Sequence, residues 1–497
     1  MLSRPDKAIR ERLAKLESHL ENENPLLLDV VTRFKKLDRV AYKMGLLETG
    51  DSYATRIPWW PLISVLGTFS AGKSSFINHF LGQKLQRTGN QAVDDKFTVI
   101  CYSAQQESRV LPGIALNSDP RFPFYQMSDE IDKVAAGEGR RIDAYLQMKT
   151  SSSDVVSGKI IIDSPGFDAD DQRNATLRLT NHIIDLSDLV LVFFDARHPE
   201  PGAMQDTLDH LVGDTIRRND SEKFLFILNQ IDTAAREDNP EQVVAAWQRA
   251  IANRGLTAGR FYAIYNAEAA VPIDDEAVRK RFEIKRDTDM AEISQRIHQV
   301  EVERSYRIIG ALDHIADDIE EIVAPKVTEA MRRWRKFVLI ADAAAYGILA
   351  LCLVLIGRWI DVSNLLFSFD FGARPVLSTV KAVVIIAIVL AVHFSIRKLV
   401  AKFIATGLEQ ESMVGNIRNA FLRSTRPLRS LFHPVPAGWT SRARKVLAGV
   451  KTDASEFVQT MNDRFTNPSG IMAESPQAEM LPVVESEQDD EVAVDRA

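Results

Sequence analysis

Cysteine is scarce in this sequence: the 497 residues contain two, and Cys101 and Cys352 lie far apart. Their number and separation exclude a disulfide framework and a C-x-x-C metal site, and they suit a reducing compartment. An excess of basic charge is also missing, since the formal net charge is −7. We therefore expect no nucleic-acid partner. The acidic surplus lies at the end of the chain, and we predict that 467–497 is an acidic disordered tail.

The start of the chain lacks the apolar core of a signal peptide, because it is charged throughout. Apolar residues recur at helical spacing from Ile9 to Leu20, which predicts an amphipathic helix. Asn24 followed by Pro25 predicts the beginning of a second helix. We assign 1–55 to N-terminal helices of a neck or bundle that is completed by later segments.

Long apolar runs are few, and two of them stand out, at 337–357 and 376–396. Each contains a single charged residue, Asp342 in the first and Lys381 in the second. About 20 residues of this kind can cross about 30 Å of hydrocarbon, so we predict a two-helix transmembrane hairpin over 337–396. The alternatives are a pair of buried core helices, or helices that only dip into one leaflet.

Basic residues flank the outer ends of the two apolar runs more densely than their connection. This asymmetry predicts that both termini are cytoplasmic and that the connection lies on the other side of the membrane. Asp342 and Lys381 either face one another within the hairpin or lie near the membrane interface. With no targeting signal recognised, we expect an integral membrane protein of the bacterial inner membrane with two spans.

Between these helical parts, residues 56–285 alternate short apolar strands with helical stretches, the pattern of an α/β domain. Several of the strands are apolar throughout, as expected when helices cover both faces of a mixed, mainly parallel sheet. The predicted strands are 61–66, 97–103, 158–163, 188–195, 223–229 and 260–265.

Helical periodicity returns after the α/β domain. Residues 286–336 predict a long stalk helix, roughly 35 residues and roughly 50 Å in its periodic part, which Pro325 should kink or end. After the hairpin, 397–466 predicts the C-terminal helices of the bundle. Their many arginines either lie against anionic lipid headgroups or form a solvated face.

A glycine loop, GTFSAGKSS, follows the first predicted strand and precedes a helix, and it matches G-x-x-x-x-G-K-S. Its two glycines allow backbone N–H groups to point at phosphate oxygens. Its lysine supplies charge for the β- and γ-phosphates, and the serine that follows supplies a hydroxyl for Mg²⁺. The nucleotide-binding residues predicted here are Gly67, Ser70, Ala71, Gly72, Lys73, Ser74 and Ser75.

Two further motifs end predicted strands in the order expected of a guanine-nucleotide site. In Asp163-Ser164-Pro165-Gly166, Asp163 is placed to hold Mg²⁺ through water and the Gly166 N–H to meet the γ-phosphate. In Asn229-Gln230-Ile231-Asp232, the Asp232 carboxylate can accept two hydrogen bonds from guanine, which adenine cannot supply. Gln230 stands where N-K-x-D motifs have lysine. The alternative for this motif is a plain loop.

These motifs resemble those of the dynamin superfamily over roughly residues 60–270. GTFSAGKSSFINHFLG together with DSPGF is similar to the bacterial dynamin-like and Eps15-homology-domain branches, and the hairpin between stalk helices is similar to mitofusin-like members. The resemblance implies a P-loop GTPase domain, a helical neck, self-association through the G domains, and work on a lipid bilayer. It also implies that water is the nucleophile and that Lys73 and Ser70 act in catalysis.

The sequence departs from the family at two places. Dynamins proper carry a catalytic glutamine where this chain has Phe69, whereas Eps15-homology-domain members have an aromatic residue there and use ATP. The threonine of switch I that meets Mg²⁺ corresponds to Val93 or Asp94, with Thr88 and Thr98 as nearby substitutes. We predict Asp94 as a catalytic and Mg²⁺-binding residue; the alternative is an impaired switch.

The sequence therefore predicts a membrane-embedded, dynamin-like GTPase that binds GTP with Mg²⁺, associates with itself and remodels, fuses or tethers membranes. One alternative is a nucleotide-binding membrane scaffold with weak or no hydrolysis. Others are a relative that uses ATP, or an ATP-driven transport subunit.

Overall fold

The computed structural model describes most of the chain, and all structural statements below refer to these residues. They are 5–67, 70–88, 96–119, 121–122, 142–165, 173–197, 221–237, 240–253, 260–357, 375–409 and 414–466. The predicted disorder of 467–497 and the connection between the two apolar runs lie outside them.

An eight-stranded sheet lies at the centre of the α/β domain, with the order β3-β4-β2-β5-β1-β6-β7-β8. Strands β2 and β5 are antiparallel, as are β3 and β4, and all other neighbours are parallel. This confirms the mixed, mainly parallel sheet. The strands are β1 Leu62–Gly67, β2 Phe97–Tyr102, β3 Val110–Pro112, β4 Leu146–Ser151, β5 Ile160–Asp163, β6 Leu189–Asp195, β7 Phe224–Asn229 and β8 Arg260–Ala263.

All six predicted strands are present, with each end within two residues of its predicted position. Strands β3 and β4 were not predicted. Strand β4 reads LQMKTS, so it has no apolar run to mark it, although Lys149 and Ser151 are buried. Polar groups buried by their three-dimensional neighbours leave no hydrophobic periodicity in the sequence.

The helices cover the sheet and extend away from it as a bundle. They are α1 Lys7–Glu23, α2 Pro25–Met44, α3 Tyr53–Arg56, α4 Lys73–Leu81, α5 Ile114–Ser118, α6 Ile142–Tyr145, α7 Arg173–Leu186, α8 Pro240–Ala252, α9 Glu276–Asp317, α10 Ala324–Gly357, α11 Pro375–Ala405, α12 Ile417–Ser424 and α13 Ser441–Thr466. The predicted start of α2 is confirmed: Asn24 caps the helix by accepting from the Leu27 N–H, with Pro25 at the first position.

Helix α9 continues through a π-helical turn, Asp318–Val323, into α10, so that Pro325 does not end the stalk helix. Of the two outcomes expected at Pro325, a kink or an end, the structure excludes the end. A proline lacks the N–H of the α-helical ladder and its ring clashes with the carbonyl four residues earlier. The wider π turn directly before Pro325 changes that local spacing, which allows the helix to continue. The helix also begins at Glu276, ten residues before the expected start of the stalk at 286.

The first half of α9 belongs to the α/β domain and the second half belongs to the bundle. Ile293, Ile297 and Val300 are fully buried and pack with the apolar side chains of the sheet. From Ile308 onwards the buried residues of α9 instead join the core formed with α2 and α13. This one helix thus contributes side chains to two hydrophobic cores, and it connects the sheet to the bundle.

The two apolar runs form α10 and α11, which pack side by side. Each contains an 18-residue window of mean hydropathy 2.4, and neither window is buried. Ile348 is 63% exposed and Val383 is 59% exposed. These helices are therefore not core helices of a soluble domain, which was one of the alternatives. By length and composition, both are long and apolar enough to cross a membrane.

Asp342 contacts His393 across the two helices, with 2.7 Å between Oδ2 and Nδ1. Lys381 lies twelve residues before His393 on α11, about 18 Å along the axis at 1.5 Å per residue. Of the two alternatives for Asp342, pairing with Lys381 or a place near the membrane interface, the structure contradicts the pairing, since the partner across the two helices is His393.

Candidate nucleotide-binding site

The glycine loop lies between the end of β1 at Gly67 and the beginning of α4 at Lys73. A Cβ on Gly67 would lie 2.6 Å from the carbonyl oxygen of Phe193 on the neighbouring strand. A Cβ on Gly72, whose φ is +83°, would lie 2.2 Å from Nδ2 of Asn229. Both positions therefore require glycine, one for space and the other for space and backbone conformation.

Lys73 is buried directly behind this loop. Its ammonium donates to the carbonyl oxygen of Gly67 at 3.0 Å. Burial lowers the pKa of the Lys73 ammonium, and the negative charge of Asp163 acts against that shift. A buried cation at the N-terminus of a helix is suited to a phosphate. Ser74 and Ser75 follow it in the first turn of α4, where both are partly exposed.

The NQID motif begins at the last residue of β7 and contacts the glycine loop from there. Asn229 Nδ2 donates to the carbonyl oxygen of Ala71 at 2.9 Å, and Gln230 Nε2 donates to that of Ser70 at 2.6 Å. Ser70 and Gln230 have φ of +62° and +65°, and no other non-glycine residue in the described ranges has a positive φ. Strained backbone of this kind concentrates at functional sites, and here the two strained residues bind each other.

Asp163 ends β5, next to β1, and is buried. Its Oδ2 accepts from Gln86 Nε2 at 2.6 Å, and Oε1 of the same glutamine accepts from the Lys149 ammonium. The sequence interpretation missed Gln86 and Lys149. Neither residue belongs to a recognised motif. A lysine on a strand with few apolar residues is typical of a solvated face, so the sequence alone did not indicate that Lys149 is buried near the site.

The oxygen groups near the loop fit a magnesium ion. The Ser74 hydroxyl and the Asp163 carboxylate are hard ligands of the kind that Mg²⁺ prefers. Among the described residues, no three His, Cys, Asp or Glu side chains form a group that could hold a metal ion. Mg²⁺ held here would therefore take most of its ligands from phosphate and water, as Mg²⁺ does in nucleotide sites.

Asp232 is buried in the short helix Ile231–Glu237 that follows Gln230. Its Oδ2 accepts from the Val271 N–H at 2.8 Å. Burial raises the pKa of the Asp232 carboxyl, while that hydrogen bond and the positive charge of Arg197 lower it. The carboxylate that the sequence assigns to guanine is thus bound to the protein's own backbone in this structure.

A pocket of about 180 Å³ opens beside the glycine loop. Its lining includes Ser75 and Asn229, together with Arg286 and Asp287 of α9. The Arg286 guanidinium lies 4.9 Å from the centre of the Tyr265 ring. The part of the lining that α9 supplies was missed by the sequence interpretation, because nothing in the pattern of α9 distinguishes Arg286 from the exposed charges of a surface helix.

Comparison with known proteins gives relatives of the α/β domain. Residues 63–231 match the model of the dynamin family. This domain belongs to the dynamin superfamily. EH domain-containing protein 2 of Rattus norvegicus and of Mus musculus is 24% identical over 179 residues, which is 35% of this chain and 30% of each relative. The chain thus matches less than a third of the length of these curated relatives.

Solved structures of bacterial dynamins align with the chain at low similarity. Two chains from an oligomerised bacterial dynamin pair, described as sensing and tethering membranes, are 15% and 14% identical and cover 90% of this chain. The comparison covers 80% and 79% of those chains, with TM-scores of 0.30 and 0.32. Scores this low carry no information on how the parts of this chain are arranged.

Three residues that bear on turnover in the dynamin-type domain lie outside the described residues. They are Phe69 in the glycine loop, Asp94 in switch I and Gly166 after Asp163. Their predicted roles stay predictions. The structure brings the other predicted site residues, which are Gly67, Ser70, Ala71, Gly72, Lys73, Ser74, Ser75, Asn229, Asp232 and Asp163, to the carboxyl ends of β1, β5 and β7.

Proposed function

We propose that this protein is a membrane-embedded, dynamin-like GTPase that hydrolyses GTP with Mg²⁺ and couples the reaction to self-association and to membrane remodelling, fusion or tethering. The observation that carries the proposal is the continuous helix from Glu276 to Ile356. Near its first residues, this helix lines the pocket beside the glycine loop. Its last part is apolar, exposed and long enough to span a bilayer.

The phosphate end of the nucleotide would lie on the glycine loop, in reach of the buried Lys73. Ser74 and Asp163 would hold Mg²⁺, which neutralises charge on the phosphates when it is bound. Phosphoryl transfer needs positioning and electrostatic stabilisation more than covalent chemistry by the protein. Lys73, the loop N–H groups and Ser70 would supply both, with water as the nucleophile.

The base would lie on the side of Asn229 and Asp232. For Asp232 to accept hydrogen bonds from guanine, its contact with the Val271 N–H must be shared or exchanged. Movement of the segment around Val271, which precedes α9, would then pass base binding on to the long helix.

The bilayer partner is supported by the exposed apolar helices α10 and α11. The basic residues Lys336 and Lys398 lie exposed at their outer ends, which favours a cytoplasmic position for both ends of the chain. A bacterial inner membrane fits this arrangement.

A second candidate function is a nucleotide-binding scaffold with weak hydrolysis. It is favoured by the internal hydrogen bond of Asp232 and by Gln230 in place of lysine, since both reduce the contacts left for the base. In that case the protein would recruit partners to the membrane without rapid turnover.

Turnover by the full chain in anionic vesicles separates the two functions. We expect GTP hydrolysis that lipid stimulates and that Lys73→Ala abolishes. Lys84→Ala is the matched control, because Lys84 is exposed shortly after α4 and should leave the rate unchanged. Tight GTP binding without turnover, unaffected by lipid, would contradict the GTPase and leave the scaffold.

Competition between GTP and ATP tests the base separately. We expect GTP to bind more tightly, and Asp232→Asn to reduce that preference. If ATP binds tenfold more tightly, the binding free energy favours ATP by about 1.4 kcal/mol. Asp232 then does not select guanine, and the chain is a relative that uses ATP.

A further inference from the structure

The segment 426–436, called here the hairpin-base loop, follows α12 at the level where α10 and α11 leave the bundle. Arg397, the first residue after the predicted second span, donates from Nη2 to the carbonyl oxygen of Arg429 at 2.7 Å. The carbonyl of Arg397 itself accepts from Trp334 Nε1 at 3.2 Å, just before the first span. These contacts place the loop directly beside the roots of both apolar helices.

Two large apolar side chains of the hairpin-base loop point away from the protein. Leu428 is fully exposed and Phe432 is 66% exposed. Single exposed apolar residues are common on proteins, but the ends of the two apolar runs that leave the bundle also carry exposed aromatic residues: Phe337 is 53% exposed and Phe394 is 38% exposed. The loop, which Arg397 holds at the end of the second run, therefore adds two exposed apolar side chains to those of α10 and α11.

The loop is held in place rather than hanging free. The Ser424 hydroxyl accepts from the Ala437 N–H at 2.9 Å, which closes the loop across its base. Gly438 has a φ of +80° and packs so tightly against α2 that a Cβ would lie 2.5 Å from the carbonyl carbon of Lys43. The Arg429 guanidinium donates to the carbonyl oxygen of Val435 inside the loop. Because the backbone of the loop is already ordered, inserting it into a membrane costs little backbone entropy.

The sequence on either side of the loop is rich in basic residues. Between Ser412 and Thr452 the sequence has eight lysines and arginines and no aspartate or glutamate. Basic residues near a membrane surface are attracted to anionic lipids by about 1 kcal/mol each. Apolar side chains surrounded by basic residues are typical of segments that lie in the interface of an anionic leaflet.

We propose that the hairpin-base loop is a second membrane contact, which inserts Leu428 and Phe432 into the interfacial region of an anionic leaflet beside the roots of the hairpin. This inference rests on the proposed function, in that the hairpin must reside in the bilayer. The contact fixes the bundle against the membrane surface. When the long helix moves, it therefore bends or pulls the bilayer and does not simply tilt within it.

Fluorescence quenching on the full chain in vesicles with anionic lipid tests this contact. Exposed Cys352 in α10 can carry an environment-sensitive label in the native chain, because Cys101 is buried. The loop reporter combines Cys352→Ser with Phe432→Cys. The control combines Cys352→Ser with Ile284→Cys, which replaces an apolar residue that is 68% exposed at the other end of the long helix. Residue 284 lies about 80 Å from residue 337 along that helix.

We expect lipids that carry a nitroxide near the headgroup to quench the label at 432 but not the label at 284. Quenching at 352 with none at 432 overturns the second contact and leaves the hairpin in the membrane. Absence of quenching at both positions overturns the hairpin insertion and the inference with it. A blue-shifted label at 432 that lipid does not quench shows a protein contact instead and also contradicts the proposal.

Lipid charge and a charge substitution sharpen the test. We expect quenching at 432 to be weaker in vesicles of neutral lipid, and equal quenching would contradict the role of the basic surroundings. In the full chain, Leu428→Glu with Phe432→Glu should lose lipid-stimulated turnover while basal turnover remains. Leu428→Ile with Phe432→Leu keeps the apolar surface and should retain the stimulation.

Discussion

The two ends of the central sheet are built differently, although the same strands form both. At the carboxyl ends of β1 and β7, polar groups bind backbone carbonyls one at a time, and two residues have strained backbone. At the amino ends of β1 and β6, Asp188 accepts from the Leu62 N–H and pairs with both Arg304 and Arg307 of α9. The polar groups at the carboxyl end can exchange their backbone partners for a ligand, whereas the charged groups at the amino end bind the long helix.

This difference suggests where movement can begin. Arg304 is buried and also donates to the carbonyl oxygen of Pro58, in the segment that enters the domain. Lys159, just before β5, pairs with Glu301 one turn earlier on α9. At the carboxyl end, α9 lines the pocket and is held by a hydrogen bond from the Ala263 N–H of β8 to Asp289 Oδ2 at 2.7 Å. A change at the nucleotide-binding end therefore acts on a helix that is already anchored.

The largest expected effect is at the carboxyl end. Gly72→Ala places a Cβ where the Asn229 amide lies and forces a left-handed backbone on alanine. We expect nucleotide affinity to fall at least about 100-fold, or about 3 kcal/mol, measured by titration with a fluorescent nucleotide.

Gly82→Ala is the matched control for the glycine loop. Gly82 has a φ of +63°, but a Cβ there meets nothing within 4 Å. Its backbone cost of about 1 kcal/mol should appear in stability alone. If both variants bind nucleotide equally well, the tight packing of the loop against Asn229 does not matter for binding.

The opposite pattern is expected at the amino end. Arg304→Met leaves Asp188 buried with one cationic partner instead of two, so we expect the free energy of unfolding to fall by about 2–3 kcal/mol. Nucleotide affinity should change little, because no ligand group lies there. Thermal unfolding and nucleotide titration of one preparation measure both quantities.

Arg307→Met is the control for the amino end. The Arg307 side chain is 44% exposed, and partly exposed pairs contribute about 1 kcal/mol or less. A large loss of nucleotide affinity in Arg304→Met, at unchanged stability, would show that the two ends of the sheet are not separate in the way described.

Asp38 is a buried carboxyl group whose hydrogen bonds do not offset the free-energy cost of burying its charge. It accepts from the Ser52 hydroxyl at 2.6 Å and the Tyr53 N–H at 2.9 Å, in the segment that leads to the sheet. Burial raises the pKa of the Asp38 carboxyl from 3.8 to about 6, against the effect of these hydrogen bonds. A raised carboxyl pKa destabilises the fold as the pH rises from 3.8 through about 6.

Asp38→Asn keeps the shape, and an amide can still pair with both groups. We expect about 1–2 kcal/mol of added stability at pH 8, because one pKa unit corresponds to 1.36 kcal/mol and the amide bonds are weaker than those of a carboxylate. The gain should shrink as the pH is lowered to 5. Thermal unfolding at both pH values measures it, and a gain that grows at low pH would contradict the raised pKa.

The sequence predicted the carboxyl end of the sheet much better than the amino end. Phosphate chemistry demands particular residues at short spacing, so Gly67 to Ser75 and Asn229 to Asp232 could be recognised without a structure. The cluster of Asp188 and Arg304 joins residues 116 positions apart, and each alone is typical of a surface charge. The same holds for Arg286 and the pocket, since helical periodicity says which face is apolar but not which charge meets a loop from another strand.

The smallest expected effect tests the strain at the carboxyl end. Gln230→Ala removes the donor to the Ser70 carbonyl, which is one of the two contacts that Asn229 and Gln230 make with the loop. We expect about fivefold weaker nucleotide binding, close to the 1 kcal/mol of a single hydrogen bond. Thr233→Ala is the control, since Thr233 Oγ1 donates to the Gln230 carbonyl at 2.8 Å without touching the loop. If Gln230→Ala binds nucleotide more tightly, then this hydrogen bond holds the loop in a form that binding must first release. The carboxyl end would then resist its ligand, and the internal bond of Asp232 would belong to the same restraint.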